Sequence, residues 1–545
     1  MLLTIIMPLI AAIMIATGGL AARLAWRAVP WLPLLLIWPL LAGGYYEPLW
    51  LLFGFALDVD EVTAAFVILV TFAWSMAGWQ AVRDINHEQQ AFWIGWLLCL
   101  SGMTLAIFSA NLVGFYLGYV VLSLSAWLMI VQARSDEAWR ASRIYLIMAL
   151  MGEAAILAGI LILAGHYGNF ELGLLAGDEI ETPHAIARWL LLAGFAVKLG
   201  IVPLHMWLPL AHPVAPVPAS AILSGIIVKA GLLGWLRLVP RTGLESETTG
   251  QILLAIGLFT AFAGVLLGLT QGRLKTVLAY STISQMGLVL VGFSLVFLIH
   301  ESDLALLSIA GLLLLHHGFN KAALFLACGN SPGTSRLRLL LFLLPALALA
   351  AAPMTTGFLV KHWLKQATSI ADIAGPAYYL LALTSAMTAM LMWKAWILAR
   401  QDDDANARIH PAWPTLVALG ILGPWTWAIL TGLNISPAPT NLWDSTWPLL
   451  IAVTTIVVHR QWQPFRLKLP EGDVVVLFER LVHVLQLPLP TLPSNTLGRR
   501  VVRRSLIRSD AVDRYLRELP LAGMAILLVG AMLWVLVLLG LGQNG

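Results

Sequence analysis

Five lysines, Lys198, Lys229, Lys321, Lys361 and Lys394, stand inside otherwise apolar stretches, together with Glu153, His316 and His317. A charged side chain at mid-membrane depth costs about 2.5–3.5 kcal/mol on insertion scales, so such residues face a bundle interior or a water-filled cavity. The chemistry they suit is proton transfer. Desolvation disfavours the charged form of a buried lysine and a nearby carboxylate restores it. Moving the carboxylate's partner therefore toggles the lysine between holding and releasing a proton. His317 and Lys321 are spaced i, i+4 and share one helix face, and histidine exchanges protons near neutral pH. Taken singly, each residue also reads as snorkelling, structurally paired or placed at a helix end. A series spread over several helices weakens that reading. Lys365 and Lys394 read as bystanders, because both can reach a helix end.

The stretch 188–237 must position much of this chemistry. Two apolar segments flank a Pro- and His-rich break, and each carries one lysine, Lys198 and Lys229. Pro203 lacks a backbone donor and interrupts the first segment about one turn after Lys198. Broken helices beside buried charge are typical of ion pathways. His205 and His212 flank the break. Neither has an acidic or cysteine partner of zinc-site spacing, so a structural role or proton uptake and release fits better. A weaker echo follows at AAPMTTGFLVKHWLK, where Lys361 comes after Ala352-Pro353. The helix after each break carries a further lysine, Lys229 and Lys394, which suggests an inverted repeat.

Composition sets the class. The 545 residues are 60% hydrophobic and 11% charged, with mean hydropathy +0.86; soluble domains are about 45–50% apolar and about 25% charged. The chain reads as an all-α polytopic membrane protein. Its net charge of +4 is no nucleic-acid signal, because the arginines sit in loops and one tail. Cys99 and Cys328 are too few for a cluster or a disulfide framework. No glycine-rich nucleotide fingerprint appears, so no cofactor and no metal is expected. No Ser-His-Asp or paired-carboxylate arrangement stands out, and the long loops lack the catalytic groups of a multispan transferase.

About sixteen apolar runs are long enough to span. Arg23, Arg27, Arg83, Arg134, Arg140, Arg143, Arg273, Lys275, Arg336, Arg338, Arg400 and Arg408 fall in loops on one side. Glu47, Asp58, Asp60, Glu171, Asp178, Glu179, Glu181, Glu301, Asp303, Asp372 and Asp444 fall on the other, with Arg237 and Arg241 as exceptions. Arginine-bearing loops are expected in the cytoplasm, which puts the N-terminus outside on a retained first helix. The tryptophans read mostly as lipid-interface anchors. The organisation expected is peripheral helices over 1–90, a translocating core over 91–400 and further peripheral helices over 401–461. A basic amphipathic tail over 462–520, against anionic lipid or a neighbour, and a terminal anchor over 521–545 complete it.

Four stretches resemble a known family. VPLHMWLPLAHPVAPVPASAILSGIIVKAG, GRLKTVLAYSTISQMGLVLVG, LLLLHHGFNKAALFLACG and NLVGFYLGYVVLSLSAWLMI are similar to signatures of antiporter-like subunits. These belong to respiratory complex I, membrane-bound hydrogenases and Mrp-type cation/proton antiporters. The resemblance covers about residues 60 to 400, and LSGIIVKAG looks most like the hydrogenase, Mrp-D and middle complex I branch. It implies a core of fourteen helices, within a bundle of fourteen to sixteen, with two inverted five-helix repeats and two broken helices. By position it implies that Lys198 belongs to the first broken helix and Lys229 bridges from the next. It matches His317 and Lys321 to a histidine-lysine pair and Lys361 to the terminal relay residue.

Two departures stand out. Where the family has a glutamate, Gly118-Tyr119 is followed by Val120, and Glu153 is the candidate replacement. A family histidine is Gln285, which can hold a water but carries no proton. The reading is thus a proton-translocating membrane subunit of a larger complex, with Glu153, Lys198, Lys229, His317, Lys321 and Lys361 as relay. His205, His212, His316, Gln285 and Lys394 are secondary or gating residues. Expected partners are other membrane subunits and the bilayer, with a peripheral redox module and sodium exchange left open. The expected location is a bacterial cytoplasmic (inner) membrane, with the N-terminus periplasmic and the basic tail cytoplasmic. The alternatives are a conduit for a non-redox partner, such as an inorganic-carbon uptake system, and a scaffold whose relay has decayed.

Overall fold

The computed structural model describes residues 1–47, 56–60, 62–167, 183–240, 246–299, 303–331, 335–371, 373–401, 408–433 and 438–462. Residues 1–471 form one compact unit. The expected basic tail and terminal anchor lie outside the described residues. All regular structure in the described part is helical, apart from isolated bridges joining Tyr46, Leu57 and Ser109.

Helices α1 (Leu2–Thr17), α2 (Gly19–Ala28), α3 (Ile37–Ala42), α4 (Thr63–Leu69) and α5 (Ser75–Asp84) come first. The apolar sequence runs on past α1 through Leu20 to Ala22, yet the helix does not. It stops at Thr17 because Gly18 and Gly19 both take positive φ, 77° and 66°, a conformation natural to glycine. Helices α4 and α5 are joined by a π-helical turn over Val70–Trp74 and make one crossing.

Two runs of similar element order follow. The first comprises α6 (Gln90–Phe108), α7 (Leu112–Ile130), α8 (Asp136–Tyr167), α9 (Pro183–Leu199), α10 (Trp207–Val214), α11 (Val217–Gly225) and α12 (Ala230–Leu238). The second comprises α13 (Ser246–Leu269), α14 (Leu274–Leu298), α15 (Asp303–Ala327), α16 (Arg336–Leu349), α17 (Thr356–Ile370) and α18 (Ala374–Ala399). Each run has three unbroken helices, then a helix split in two (α9 and α10; α16 and α17), then a fifth crossing. Helices α19 (Ala412–Leu430) and α20 (Pro439–Trp462) close the described part. Ten described helices are long and apolar enough to cross a membrane, or up to eleven if the bent pair Gly19–Ala28 and Leu32–Ala42 is one span. With α1, the split helices and α20, this falls within the expected fourteen to sixteen.

Both splits begin the same way. At the end of α9 the Gly200 N–H donates to Val197 O and the Ile201 N–H to Ala196 O, both at 3.1 Å. At the end of α16 the Ala351 N–H donates to Ala348 O and the Ala352 N–H to Leu347 O, both at 3.0 Å. These are Schellman motifs, with Gly200 (φ 72°) and Ala351 (φ 58°) in the left-handed position. Each helix has therefore ended before Pro203 or Pro353 is reached. The prolines prevent its resumption but do not start the break.

The first two helices of each run touch through glycine. A Cβ at Gly102 would lie 2.5 Å from Leu122 N, and one at Gly118 would lie 2.6 Å from Ala106 N. Likewise a Cβ at Gly287 would lie 2.5 Å from both Ala261 N and Gly257 O. Small residues let membrane helices approach to backbone contact. Helix α15 occupies the middle, packed against α4, α11, α14, α16, α17 and α19.

The charge alternation is visible in the packing. On one face the Arg83 guanidinium binds Asp84 at 2.6 Å and reaches Gly329 O and Arg408 O, so loops expected on one side meet there. On the other face Arg237, an exception to the alternation, pairs with Asp60 at 2.7 Å and donates to Ala106 O and Thr63 Oγ1. An ion pair between the buried Arg237 and the exposed Asp60, rather than a topological error, explains it. Trp31, Trp38 and Trp443 are exposed, while Trp74, Trp93, Trp96, Trp207, Trp235 and Trp413 are fully buried. Several work as backbone staples, since Trp207 Nε1 donates to Val197 O at 2.8 Å and Trp235 Nε1 to Leu192 O at 3.2 Å.

Candidate proton-relay site

Lys198 is the penultimate residue of α9, where the carbonyl ends of the helix favour a cation. It is buried, and so is Glu153 on α8. Lys198 Nζ donates to Ser123 Oγ at 2.6 Å and to Tyr145 OH at 3.0 Å. Tyr145 OH in turn donates to Ser123 O at 2.6 Å. The rings of Tyr119 and Tyr145 stand 5.7 and 5.3 Å from the ammonium. The Glu153 carboxylate accepts no hydrogen bond among the described residues, yet it lies within the electrostatic field of Lys198. A cavity of about 10 Å³ lies between Lys198, Ser123, Tyr145 and Gly152, room for about one water. Val120, on α7, is buried, and Glu153 stands on the next helix.

Lys229 sits in a 3₁₀ turn over Ile227–Lys229 that interrupts the crossing from α11 to α12. The interruption turns its side chain back on Ser224 O, at 2.5 Å. Ser224 Oγ meets Thr282 Oγ1 at 2.7 Å, and Thr282 Oγ1 donates to Leu278 O at 3.0 Å. Leu278 O also accepts from Lys321 Nζ at 2.9 Å. Lys229 and Lys321 thus each donate to a backbone carbonyl, Ser224 O and Leu278 O, with the Ser224–Thr282 hydroxyl pair between them. His317 is within the fields of both lysines, and neither of its ring nitrogens has a hydrogen-bond partner among the described residues. Gln285 lies on the Thr282 face of α14, one turn further along, and is buried.

His316, the neighbour of His317, points elsewhere. Its Nδ1 meets Thr356 Oγ1 at 2.8 Å, at the start of α17, and it lies in the field of Lys361. Thr356 also donates to Gly420 O at 3.3 Å. Lys361 donates to Thr384 Oγ1 and to Leu381 O on α18. Two adjacent histidines on α15 therefore address two different lysine groups.

The remaining candidates are peripheral. His212 stacks on Phe325, ring centroids 4.5 Å apart, within the fields of Lys275, Lys321 and Lys229. His205 lies against Tyr280 instead, 6.2 Å between centroids, so the two histidines do not converge. Lys394 donates to Leu269 O, the last residue of α13, and serves as a helix cap away from the row. Residues that sequence reasoning passed over are the hydroxyls Ser123, Tyr145, Ser224 and Thr282, together with Lys275, Lys365 and Asp444. Lys275 donates to Ala215 O at 2.6 Å and so reaches inward from the arginine face. Lys365, read as a bystander, is buried one turn from Lys361.

The chain is similar to known proteins. The chain is 30% identical over 332 residues to hydrogenase-4 component B of Escherichia coli, covering 54% of this chain and 49% of that protein. It is 31% identical over 287 residues to NADH-ubiquinone oxidoreductase chain 4 of Arabidopsis thaliana, covering 51% of this chain and 55% of that one. The chain thus spans about half the length of these curated relatives. A chain of the Mrp complex from a Dietzia species has the same fold, with TM-score 0.65 and 21% identity, covering 84% of this chain and 99% of that one. The family described as NADH:quinone oxidoreductase/Mrp antiporter, transmembrane, matches residues 109–391, which contain both runs' relay residues from Ser123 to Lys361; the chain belongs to that family.

Proposed function

We propose that this chain carries protons across a membrane as one subunit of a larger membrane assembly. The observation that carries the reading is the buried row Glu153, Lys198, Lys229, Lys321, His317, His316 and Lys361. Cations buried in an apolar bundle are costly and mark ion pathways, and the Ser224–Thr282 hydroxyl pair lies between the carbonyls that hold Lys229 and Lys321, where a bridging water would complete a proton path. The hydroxyl and imidazole groups between the lysines suit stepwise transfer, with Glu153 setting the charge on Lys198. Lys275 and His212 are the uptake route on the arginine face, which is cytoplasmic by the positive-inside rule. The N-terminus is then periplasmic and the membrane a bacterial inner one.

The two helix runs are inverted repeats in this reading, supported by their matching Schellman breaks and glycine contacts. In this reading residues 91–400 are the translocating core, flanked by peripheral helices. Other membrane subunits are the partners; a redox module and sodium exchange belong to the assembly rather than to residues of this chain. The placement of Glu153 beside Lys198 favours a working relay over a decayed scaffold.

The test is proton movement in sealed vesicles bearing the intact assembly, read with a pH-sensitive dye. Lys229→Ala is expected to lower it at least tenfold with subunit content unchanged. Wild-type flux in that variant removes the mechanism. Co-purifying iron–sulfur or nickel proteins would mark redox driving, and small Mrp-like proteins would mark antiport.

A further inference from the structure

We infer that Asp444, on α20, is the acid through which protons leave the lysine row; this rests on the relay reading above. Helix α17 starts at the second break and runs toward the acidic face. Lys361 and Lys365 lie one turn apart on it, on one helix face. Lys365 Nζ is 3.4 Å from Asp444 O and 4.4 Å from the Tyr378 ring centroid. A second cavity, about 20 Å³, is lined by Lys361, His362, Lys365, Ser385 and Asp444, enough for one water.

The charge pattern gives this cavity its meaning. The charged group acting on Lys229 is Lys321 and the one acting on Lys361 is Lys365, both cations. Asp444 is the first acid that the row meets after Glu153, and its field reaches Lys365, His362 and Tyr378. A proton on Lys361 is repelled by a charged Lys365. A proton on Lys365 is held by Asp444. Those two fields draw the charge from Lys361 to Lys365, and the onward hop to Asp444, uphill because a carboxylate is the weaker base, is driven by release of the proton to water. The Nζ–H bond of Lys365 breaks, the proton crosses one water to a carboxylate oxygen of Asp444, and the half-buried carboxyl then releases it to the aqueous side. Lys365 is left neutral until Lys361 recharges it; no other bond changes. Asp444 lies beyond residues 109–391, the stretch that the family model matches.

The test uses the full chain in its assembly, in sealed vesicles, with a potassium–valinomycin potential and an internal pH dye. Asp444→Asn is expected to slow proton flux at least tenfold, and Asp444→Glu to stay within threefold of wild type. Lys365→Gln, a second arm, is expected to lose as much as Asp444→Asn. Val453→Ala, on the exposed face of α20, keeps the wild-type rate. Wild-type flux in Asp444→Asn or Lys365→Gln overturns the inference. So does a loss in Asp444→Glu equal to that in Asp444→Asn, which would make the position one of packing alone. Absence of flux in the wild-type chain instead overturns the parent reading, and the two failures are distinct.

Discussion

Lys198 is bound to Ser123, Nζ to Oγ at 2.6 Å, while the Glu153 carboxylate beside it accepts no hydrogen bond among the described residues. The lysine thus has two competing attachments, one made and one within electrostatic reach. Changing between them alters how firmly Lys198 holds its proton.

Glu153→Gln keeps the shape and removes the charge. Proton flux in sealed vesicles is expected to fall at least tenfold, with assembly intact. Glu153→Asp, which keeps the charge on a shorter arm, should retain a measurable part of the rate. Full flux in the glutamine variant would return the role of the missing acid at Val120 to another residue.

Thr282→Val tests the bridge between Lys229 and Lys321. It removes the hydroxyl that meets Ser224 Oγ and donates to Leu278 O. Losing one such hydrogen bond costs about 1 kcal/mol, so the protein should still assemble. Flux should fall about threefold or more if protons cross there, by the same order of energy. An unchanged rate would place the transfer on water alone.

Gly357→Ala probes the second break. A Cβ there would lie 1.9 Å from Ala348 O, across the gap between α16 and α17. Overpacking of this kind costs about 1–3 kcal/mol. The unfolding midpoint in detergent should drop, whereas Gly375→Ala, with nothing within 4 Å, should leave it unchanged. Equal midpoints in both would mean that the halves of the broken helix part freely.

His410 gives the arginine face a dependence on pH. Its backbone N–H donates to Asn330 Oδ1 at 2.8 Å and its ring lies edge-on to Trp79. Burial, with Arg83 adding to it and Asp84 opposing, holds its imidazole below the ordinary histidine range. The opened loop therefore takes up a proton that the closed loop refuses. Closure should weaken as pH falls through about 6.5 and be flat above it. Hydrogen exchange over residues 408–413, compared at about pH 5 and pH 8, should show faster opening in acid. His410→Gln should erase the difference. Protection that is independent of pH in the wild type would contradict this.

Much of the relay was legible because a cation in an apolar run is expensive, which singled out Lys198, Lys229, Lys321 and Lys361. The hydroxyls were not legible. Ser123, Ser224 and Thr282 look like any small polar residue in a membrane helix until neighbours are known. The breaks were found through their prolines and misplaced by a few residues, because Ala351 carries no mark of its left-handed backbone. Arg237 broke the charge pattern only because its partner Asp60 lies 177 positions away. Asp444 read as a loop charge because the apolar run begins after it, although α20 begins at Pro439.

The glycine contacts between α6 and α7, and between α13 and α14, leave no slack between neighbouring backbones. Hairpins locked at that spacing cannot slide past each other without collision. Whatever motion accompanies turnover must then fall on side-chain swings and on the short unwound joints at Gly200 and Ala351. The unwound joints at Gly200 and Ala351 are then where a working stroke should be measured.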